Sequence, residues 1–96
     1  MNDVPLEEYY PGDDAWIKFS QCFDNEWEKC PSQSEVLQSV SGEIDIAKVV
    51  YGSFLAGYSQ WLEMSVPALS DSTPTECLKT EIGEKRLKTM LMRMPR

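Results

Sequence analysis

The stretch Val49–Leu62, VVYGSFLAGYSQWL, is the longest run without a charged residue in this chain of 96 residues. It is too short to cross a membrane, which takes about 20 apolar residues, and Lys48 and Glu63 flank it. From about Glu43 to Met64, apolar side chains recur at the spacing of one helical face. We therefore predict a central core helix whose buried face consists of Ala47, Val50, Tyr51, Phe54, Leu55, Tyr58, Trp61 and Leu62.

Small residues on this predicted helix indicate a close contact. Gly52 and Ala56 are four residues apart, and so are Ser53 and Gly57. Small residues at that spacing let another backbone approach closely, which would offset the cost of about 0.8–1 kcal/mol for each glycine in a helix. We expect the first or the last helix of the same chain to fill this contact. A second copy of the chain, forming a homodimer, is the alternative.

The first helix is predicted to begin after Asp13 or Asp14, since either residue can cap free backbone N–H groups. Apolar residues then follow at spacings of three and four, and Pro31 ends the helix. This seam consists of Trp16, Phe19, Phe23, Trp27 and Cys30.

A short helix is predicted next, because Ser32 and Glu35 have the spacing of a capping box. Ser41 and Gly42 interrupt it. The last helix is predicted to start at Thr73–Glu76, TPTE, which combines a capping threonine, a proline at the first helical position and a glutamate three residues after the cap. The apolar pattern slips at Gly83, so we expect a kink or a short break there.

These patterns predict an all-α fold, a compact bundle of three main helices plus one short helix. Residues 13–96 form the single helical domain. Residues 1–12 are predicted to be an extended acidic arm, because Pro5 and Pro11 interrupt them; Tyr9 and Tyr10 are the residues of this arm that can dock onto the domain.

The net charge of −7 is distributed unevenly along the chain. Residues 1–76 carry fourteen acidic residues against three lysines, whereas residues 77–96 carry two acidic residues against six basic ones. An acidic body repels nucleic acid and anionic membranes and attracts basic proteins. The basic C-terminal segment, rich in methionine, is typical of a helix that binds a membrane surface, nucleic acid or an acidic groove, or that complements the acidic body.

The residues needed for common catalytic and metal sites are missing. The chain contains no histidine, and its glycines form no phosphate-binding loop. We therefore expect no enzyme activity, no cofactor and no metal. Cys22, Cys30 and Cys77 are predicted to be reduced thiols that are mostly buried; a Cys22–Cys77 or Cys30–Cys77 bridge is the alternative in an oxidising compartment.

The sequence favours a function in protein binding. We expect a cytoplasmic protein, since the acidic N-terminal residues do not resemble a signal peptide. It is expected to bind a protein partner with a basic surface and not nucleic acid itself, as an inhibitor from a phage or mobile element would when it blocks a nucleic-acid-binding defence enzyme. The alternative is an immunity-type or envelope stress protein with one disulfide, exported by a leader. The predicted contact residues are the acidic and aromatic positions Glu7, Glu8, Tyr9, Tyr10, Asp13, Asp14, Asp24, Glu26 and Glu28.

Overall fold

Residues 6–94, which the computed structural model describes, are folded as helices and turns without a β-strand. This confirms the predicted all-α fold. The α-helices are α1 (Asp13–Gln21), α2 (Asp24–Glu28), α3 (Gln33–Ser39), α4 (Ile44–Phe54), α5 (Tyr58–Leu62), α6 (Pro74–Cys77) and α7 (Glu81–Arg93). Short 3-10 turns lie at Leu6–Tyr9, Leu55–Gly57 and Pro67–Leu69.

Helix α4 lies at the centre of the bundle, as its uncharged sequence predicts. It contacts α1, α2, α3, α5 and α7, and its buried residues are Ile46, Ala47, Val49 and Val50. The Cα radius of gyration of 12.8 Å matches the value of about 13 Å for a compact domain of this length. Among the described residues no helix has the length and apolar character needed to traverse a bilayer.

The predicted first helix is divided into α1 and α2 by a turn at Cys22 and Phe23, so the prediction of one continuous helix was wrong. There the backbone N–H groups of Cys22 and Phe23 donate to carbonyl oxygens three residues back. The turn lets both pieces lie against α4. The predicted seam is confirmed, because Phe19 is half-buried and the other four members are buried.

The predicted central helix is also divided, because α4 ends at Phe54 and α5 begins at Tyr58. Leu55 has φ 51° and ψ −128°, a conformation that favours glycine over residues with a Cβ atom. Its side chain is 53% exposed, which corrects the prediction that it lies on the buried face. The turn places the Phe54 ring on the Trp61 ring, with the centroids 4.2 Å apart. This stacking contributes to holding α4 and α5 in place on either side of the turn.

Helix α3 confirms the predicted short helix, and Ser32 precedes its first residue as predicted. The side chain of Ser32 makes no capping hydrogen bond, so the capping box with Glu35 is absent. After α3 the chain turns through Ser41 and Gly42, both at positive φ, and the N–H of Gly42 donates to the Leu37 carbonyl oxygen. These two residues end the helix as the sequence indicates.

The capping box at Thr73 and Glu76 is confirmed by two reciprocal hydrogen bonds of 2.9 and 3.1 Å. The helix it starts, α6, ends at Cys77, and the Thr80 hydroxyl accepts a hydrogen bond from the Gly83 N–H to begin α7. The sequence predicted a break at Gly83, and the break lies a few residues earlier, between Cys77 and Glu81. Gly83 is buried within α7, where a Cβ atom would lie 2.3 Å from the Cys77 carbonyl oxygen; the residue permits close packing of α6 on α7.

The described part of the N-terminal arm is not extended. Leu6–Tyr9 form a 3-10 turn that packs along α7, and Gly12, at φ 110°, turns the chain into α1. The prediction of an extended arm was wrong at Leu6–Tyr9, because an ion pair and apolar contacts fix this segment to α7. Residues 1–5 of the predicted arm lie outside the described residues.

Gly52 is the small residue of α4 at which a close contact occurs. A Cβ atom there would lie 2.2 Å from Cδ1 of Phe23, so the turn after α1 occupies this position, as the spacing of small residues predicted. Gly57 has no heavy atom within 4 Å of the equivalent point. Its predicted contact is absent because the chain has already left the helix.

Gly52→Ala is expected to destabilise the protein by about 1–3 kcal/mol, because the buried Phe23 ring must move to admit the new methyl group. Chemical denaturation followed by circular dichroism measures this. Gly57→Ala is the matched control, expected to be neutral or to stabilise by about 0.4–1 kcal/mol through the unfolded state. Equal effects of the two substitutions would contradict the packing described.

Candidate interaction surface

The structure divides the predicted contact residues between two places. Asp13 and Asp14 begin α1, whereas Asp24, Glu26 and Glu28 lie on α2, beyond the other end of α1. The rise of an α-helix separates the two ends of α1 by about 12 Å. The exposed members of the predicted set are Glu8, Tyr9, Asp13, Asp14, Glu26 and Glu28, and the half-buried members are Glu7, Tyr10 and Asp24.

Two carboxylates of the predicted contact set form ion pairs inside the molecule. The Arg86 guanidinium donates to both carboxylate oxygens of Glu7, at 2.8 and 3.2 Å. The Lys48 ammonium lies 2.9 Å from Oδ1 of Asp24. A partner would have to compete with these cations, so Glu7 and Asp24 are better placed to hold the fold than to bind outward.

The first turns of three helices bring carboxylates together at one end of the bundle. Asp13 begins α1, Glu43 and Asp45 lie at the start of α4, and Glu81 and Glu84 lie in the first turn of α7. Helices α1, α4 and α7 contact one another. Burial is the main cause that raises the pKa values of Glu84 and Tyr10, and the charges of Glu43 and Asp45, respectively, add to it. We call Asp13, Glu43, Asp45, Glu81 and Glu84 the acidic end.

Helix geometry explains why the acidic end is tolerated. The N-terminus of a helix carries a partial positive charge, which favours carboxylates in the first turn. Cations contribute little direct pairing here. Within residues 6–94 the two ion pairs are Glu7–Arg86 and Asp24–Lys48, and neither includes a member of the acidic end. No ion pair among the described residues therefore neutralises its carboxylates, although Lys85 and Lys88 lie beside Asp13, Glu81 and Glu84.

A cavity of about 290 Å³ opens at the acidic end. It is lined by Tyr10, Asp13, Glu81, Glu84, Lys85 and Lys88. The Tyr10 hydroxyl donates a hydrogen bond of 2.6 Å to Asp13. Burial, followed by this hydrogen bond and the carboxylate charges nearby, raises the pKa of Tyr10. The hydrogen bond fixes the orientation of Asp13.

Glu84 is the most buried carboxylate of this cavity. It is half-buried, and among the described residues it accepts no hydrogen bond and forms no ion pair. Burial is the main cause that raises its pKa, and the charge of Glu43 adds to this, while Lys88 acts in the opposite direction. The folded protein therefore holds Glu84 in a place where its negative charge is poorly stabilised.

The basic residues of α7 are largely occupied by the rest of the chain. Arg86 binds Glu7, the Arg93 guanidinium carbon lies 4.7 Å from the Tyr9 ring centroid, and the Lys88 ammonium lies over the rings of Tyr10 and Trp16 at 5.8 and 5.5 Å. Contacts of a cation with an aromatic face are attractive. The prediction that this helix complements the acidic part of the chain is confirmed for Arg86.

The three cysteines are free thiols in the structure. Cys22 is exposed, and Cys30 and Cys77 are buried. Burial raises the pKa of Cys77, which makes its thiolate harder to form although it lies in a short helix. The burial of Cys77 agrees with its predicted role as a packing residue.

Glu43, Asp45, Glu81 and Glu84 were not among the predicted contact residues. The charge count assigned Glu81 and Glu84 to the basic C-terminal segment, where six cations outnumber them. Their position after the capping Thr80 was the available signal, because carboxylates are favoured in first turns. Which first turns come together depends on the long-range packing of the helices. Among the described residues no group of His, Cys, Asp or Glu side chains is arranged to hold a metal ion.

Comparison with protein-family models, curated proteins and solved structures finds no match to this chain.

Glu7→Gln is expected to destabilise the protein at pH 7 by about 1–2 kcal/mol, between the values for exposed ion pairs and for buried charged hydrogen bonds. The Arg86 hydrogen bond lowers the pKa of Glu7 below its ordinary value of 4.5. The stabilisation is therefore complete above pH 4.5 and is lost as the pH falls through the lower folded-state pKa. Denaturation between pH 3 and 7 should show the two proteins converging in acid. Glu8→Gln, in the same turn, is the control and should remain close to the native protein throughout.

Glu84→Gln is expected to stabilise the protein at pH 7, by roughly 0.5 kcal/mol. Because the folded-state pKa of Glu84 is raised above 4.5, its ionisation costs stability as the pH rises through and above that value. The advantage of the variant should therefore shrink below pH 4. Glu28→Gln, at an exposed position of α2, is the comparison for a simple change of net charge. A stability gain that is the same at pH 3.5 and pH 7 would contradict this assignment.

Proposed function

We propose that this protein acts by binding another protein that has a basic surface, and that the acidic end is the surface that binds. The observation that carries the proposal is the gathering of carboxylates from the first turns of α1, α4 and α7. Charge of one sign on a rigid surface accelerates and orients association with a partner of the opposite sign. The carboxylates lie on helices fixed to one core, so little ordering is needed on binding.

We further propose that the partner is a nucleic-acid-binding enzyme of a bacterial defence system and that this protein is its inhibitor, of phage or mobile-element origin. A channel that binds phosphates offers lysine and arginine side chains. An acidic surface that fills such a channel competes with the nucleic acid for the same cations. The basic helix α7 supports this assignment, since its arginines are engaged by Glu7 and Tyr9 and do not form an open basic surface for nucleic acid.

The test is capture of the partner from bacterial lysates with defence systems present, followed by competition with nucleic acid. The captured protein should bind DNA or RNA on its own, and adding this protein should displace the nucleic acid. A captured protein that binds no nucleic acid, or that binds it equally well in the complex, would contradict the inhibitor proposal.

Charge reversal locates the binding surface. The pair Glu43→Lys and Glu81→Lys changes two exposed residues of the acidic end, and we expect it to weaken the complex about tenfold or more at 0.1 M salt. The matched control, Glu26→Lys with Glu28→Lys, makes the same change of net charge on α2. Equal weakening by both pairs would mean that only net charge matters, and greater weakening by the α2 pair would move the site to that helix.

A further inference from the structure

We propose that the N-terminal turn Leu6–Tyr9 is an autoinhibitory strap, which covers a groove on α7 that binds an acidic segment of another protein. We call the surface formed by Arg86, Met90, Arg93 and Met94 the α7 groove. It is a different surface from the acidic end, so the inference does not depend on the proposed function. The residues of the strap identify the guest, because they already occupy the groove within the same chain.

The α7 groove combines positive charge with an apolar pocket. Arg86, Met90 and Arg93 follow one another at spacings of four and three, which places them on one side of the helix. The rise of an α-helix separates the two arginines by about 10 Å along its axis. A pocket of about 260 Å³ lies beside Met90, and its lining residues are Leu6, Ala68, Met90, Arg93 and Met94. Methionine side chains adapt to guests of different shapes.

The contacts of the strap show which chemistry the groove recognises. The Glu7 carboxylate accepts two hydrogen bonds from Arg86, at 2.8 and 3.2 Å. The Tyr9 ring centroid lies 4.7 Å from the guanidinium carbon of Arg93, and Leu6 contributes to lining the apolar pocket. A carboxylate, an aromatic ring and an aliphatic side chain thus each meet a matching group. A segment of another protein that carries the same three kinds of side chain fits the groove for the same reasons.

The strap leaves part of the groove unfilled. With Leu6 in place, the pocket beside Met90 still has its volume of about 260 Å³, and Leu6 is only half-buried. A guest with a larger apolar side chain would bury more apolar surface there, which adds to its affinity. Such a guest gains contacts that the strap does not make, and this difference is what allows it to displace the strap.

The strap can leave without unfolding the bundle. None of its four residues is buried, and its ion pair leaves 17% of the Glu7 side chain and 24% of the Arg86 side chain exposed. Water and salt weaken an ion pair with that exposure. Tyr10 donates a hydrogen bond to Asp13 at the start of α1, so the chain is held directly after the strap. Segments with so little buried surface are the ones that open locally in a folded protein.

An acidic peptide fits the α7 groove better than nucleic acid does. Phosphates would satisfy the two arginines, but Met90 lies between them along the helix. A phosphate backbone laid across the groove would bring charged groups over an apolar pocket, where they lose hydration without gaining a partner. A peptide instead alternates charged and apolar side chains, as the strap does.

The experiment uses the acetylated and amidated peptide LEEY, which has the sequence of the strap, titrated into the isotope-labelled full chain at pH 7 and followed by NMR. The native protein should bind it weakly, because the strap competes from within the same molecule. Glu7→Lys places a cation beside Arg86 and should release the strap. We expect this variant to bind the peptide at least about tenfold more tightly, with a dissociation constant of about 1 mM and shifts at Arg86, Met90 and Arg93.

Matched controls separate release of the strap from a change of net charge. Glu8→Lys makes the same charge change in the same turn, at an exposed residue, and should bind the peptide like the native protein. The peptide LQQY, without carboxylates, should bind Glu7→Lys at least about fivefold more weakly than LEEY does. Glu7→Gln removes the carboxylate charge without reversing it, and should tighten LEEY binding about threefold or more.

Each other outcome overturns the inference. Equal binding of LEEY to the native protein and Glu7→Lys would show that the strap does not block the groove. An equal gain for Glu8→Lys, or equal binding of LQQY, would reduce the effect to net charge. A single-stranded oligonucleotide that binds Glu7→Lys at the α7 groove, where LEEY does not, would make the groove a nucleic-acid surface. Loss of the helical circular dichroism signal in Glu7→Lys would show that the turn is part of the fold and not a strap.

Discussion

The contact of Phe23 with the backbone of α4 at Gly52 is the constraint on which the arrangement of the first three helices depends. No side chain fits between them, so the ring can lie directly on the central helix. Phe23 reaches this position because α1 ends two residues earlier and the chain turns. The turn also lets α2 pack against α4, as α1 does. The aromatic seam is therefore buried on both helices. Gly52 and the break between α1 and α2 are therefore both needed to place the Phe23 ring in the core.

A second constraint, the binding of the N-terminal turn to α7, determines how charge is distributed over the surface. Glu7 accepts two hydrogen bonds from Arg86. Lys88 lies over the Tyr10 ring, and Arg93 lies over the Tyr9 ring. These contacts use cations that would otherwise be available to neutralise carboxylates. Since α7 carries acidic residues at its start and basic residues further along, covering its basic part leaves its acidic start as the dominant feature of that helix.

The sequence predicted the helical class and the central position of the uncharged stretch well, because both follow from apolar periodicity, which depends on near neighbours. It failed where tertiary contacts override local preference. Leu55 fits a helical face by spacing, yet it lies at positive φ, where the stacking of Phe54 on Trp61 compensates for an unfavourable backbone. A break was predicted at Gly83, where the apolar pattern slips and glycine is a poor helix former. Gly83 instead lies inside α7, where the absence of a Cβ atom permits close packing against Cys77. In both cases the deciding partner is several residues away along the chain.

The candidate site shows the same limit more sharply. Asp13 and Tyr10 are three residues apart, and their hydrogen bond belongs to the local geometry that sequence reasoning handles. Glu84 comes from a segment whose composition is basic, and it joins them only because α7 packs beside α1 and α4. Carboxylates in first turns are individually favourable, so each is explained by its own helix. Their meeting is not, because like charges brought together repel each other; burial is the main cause that raises the pKa of Glu84, and the charge of Glu43 adds to it. Local preference therefore accounts for each carboxylate but not for their meeting, which depends on how α1, α4 and α7 pack.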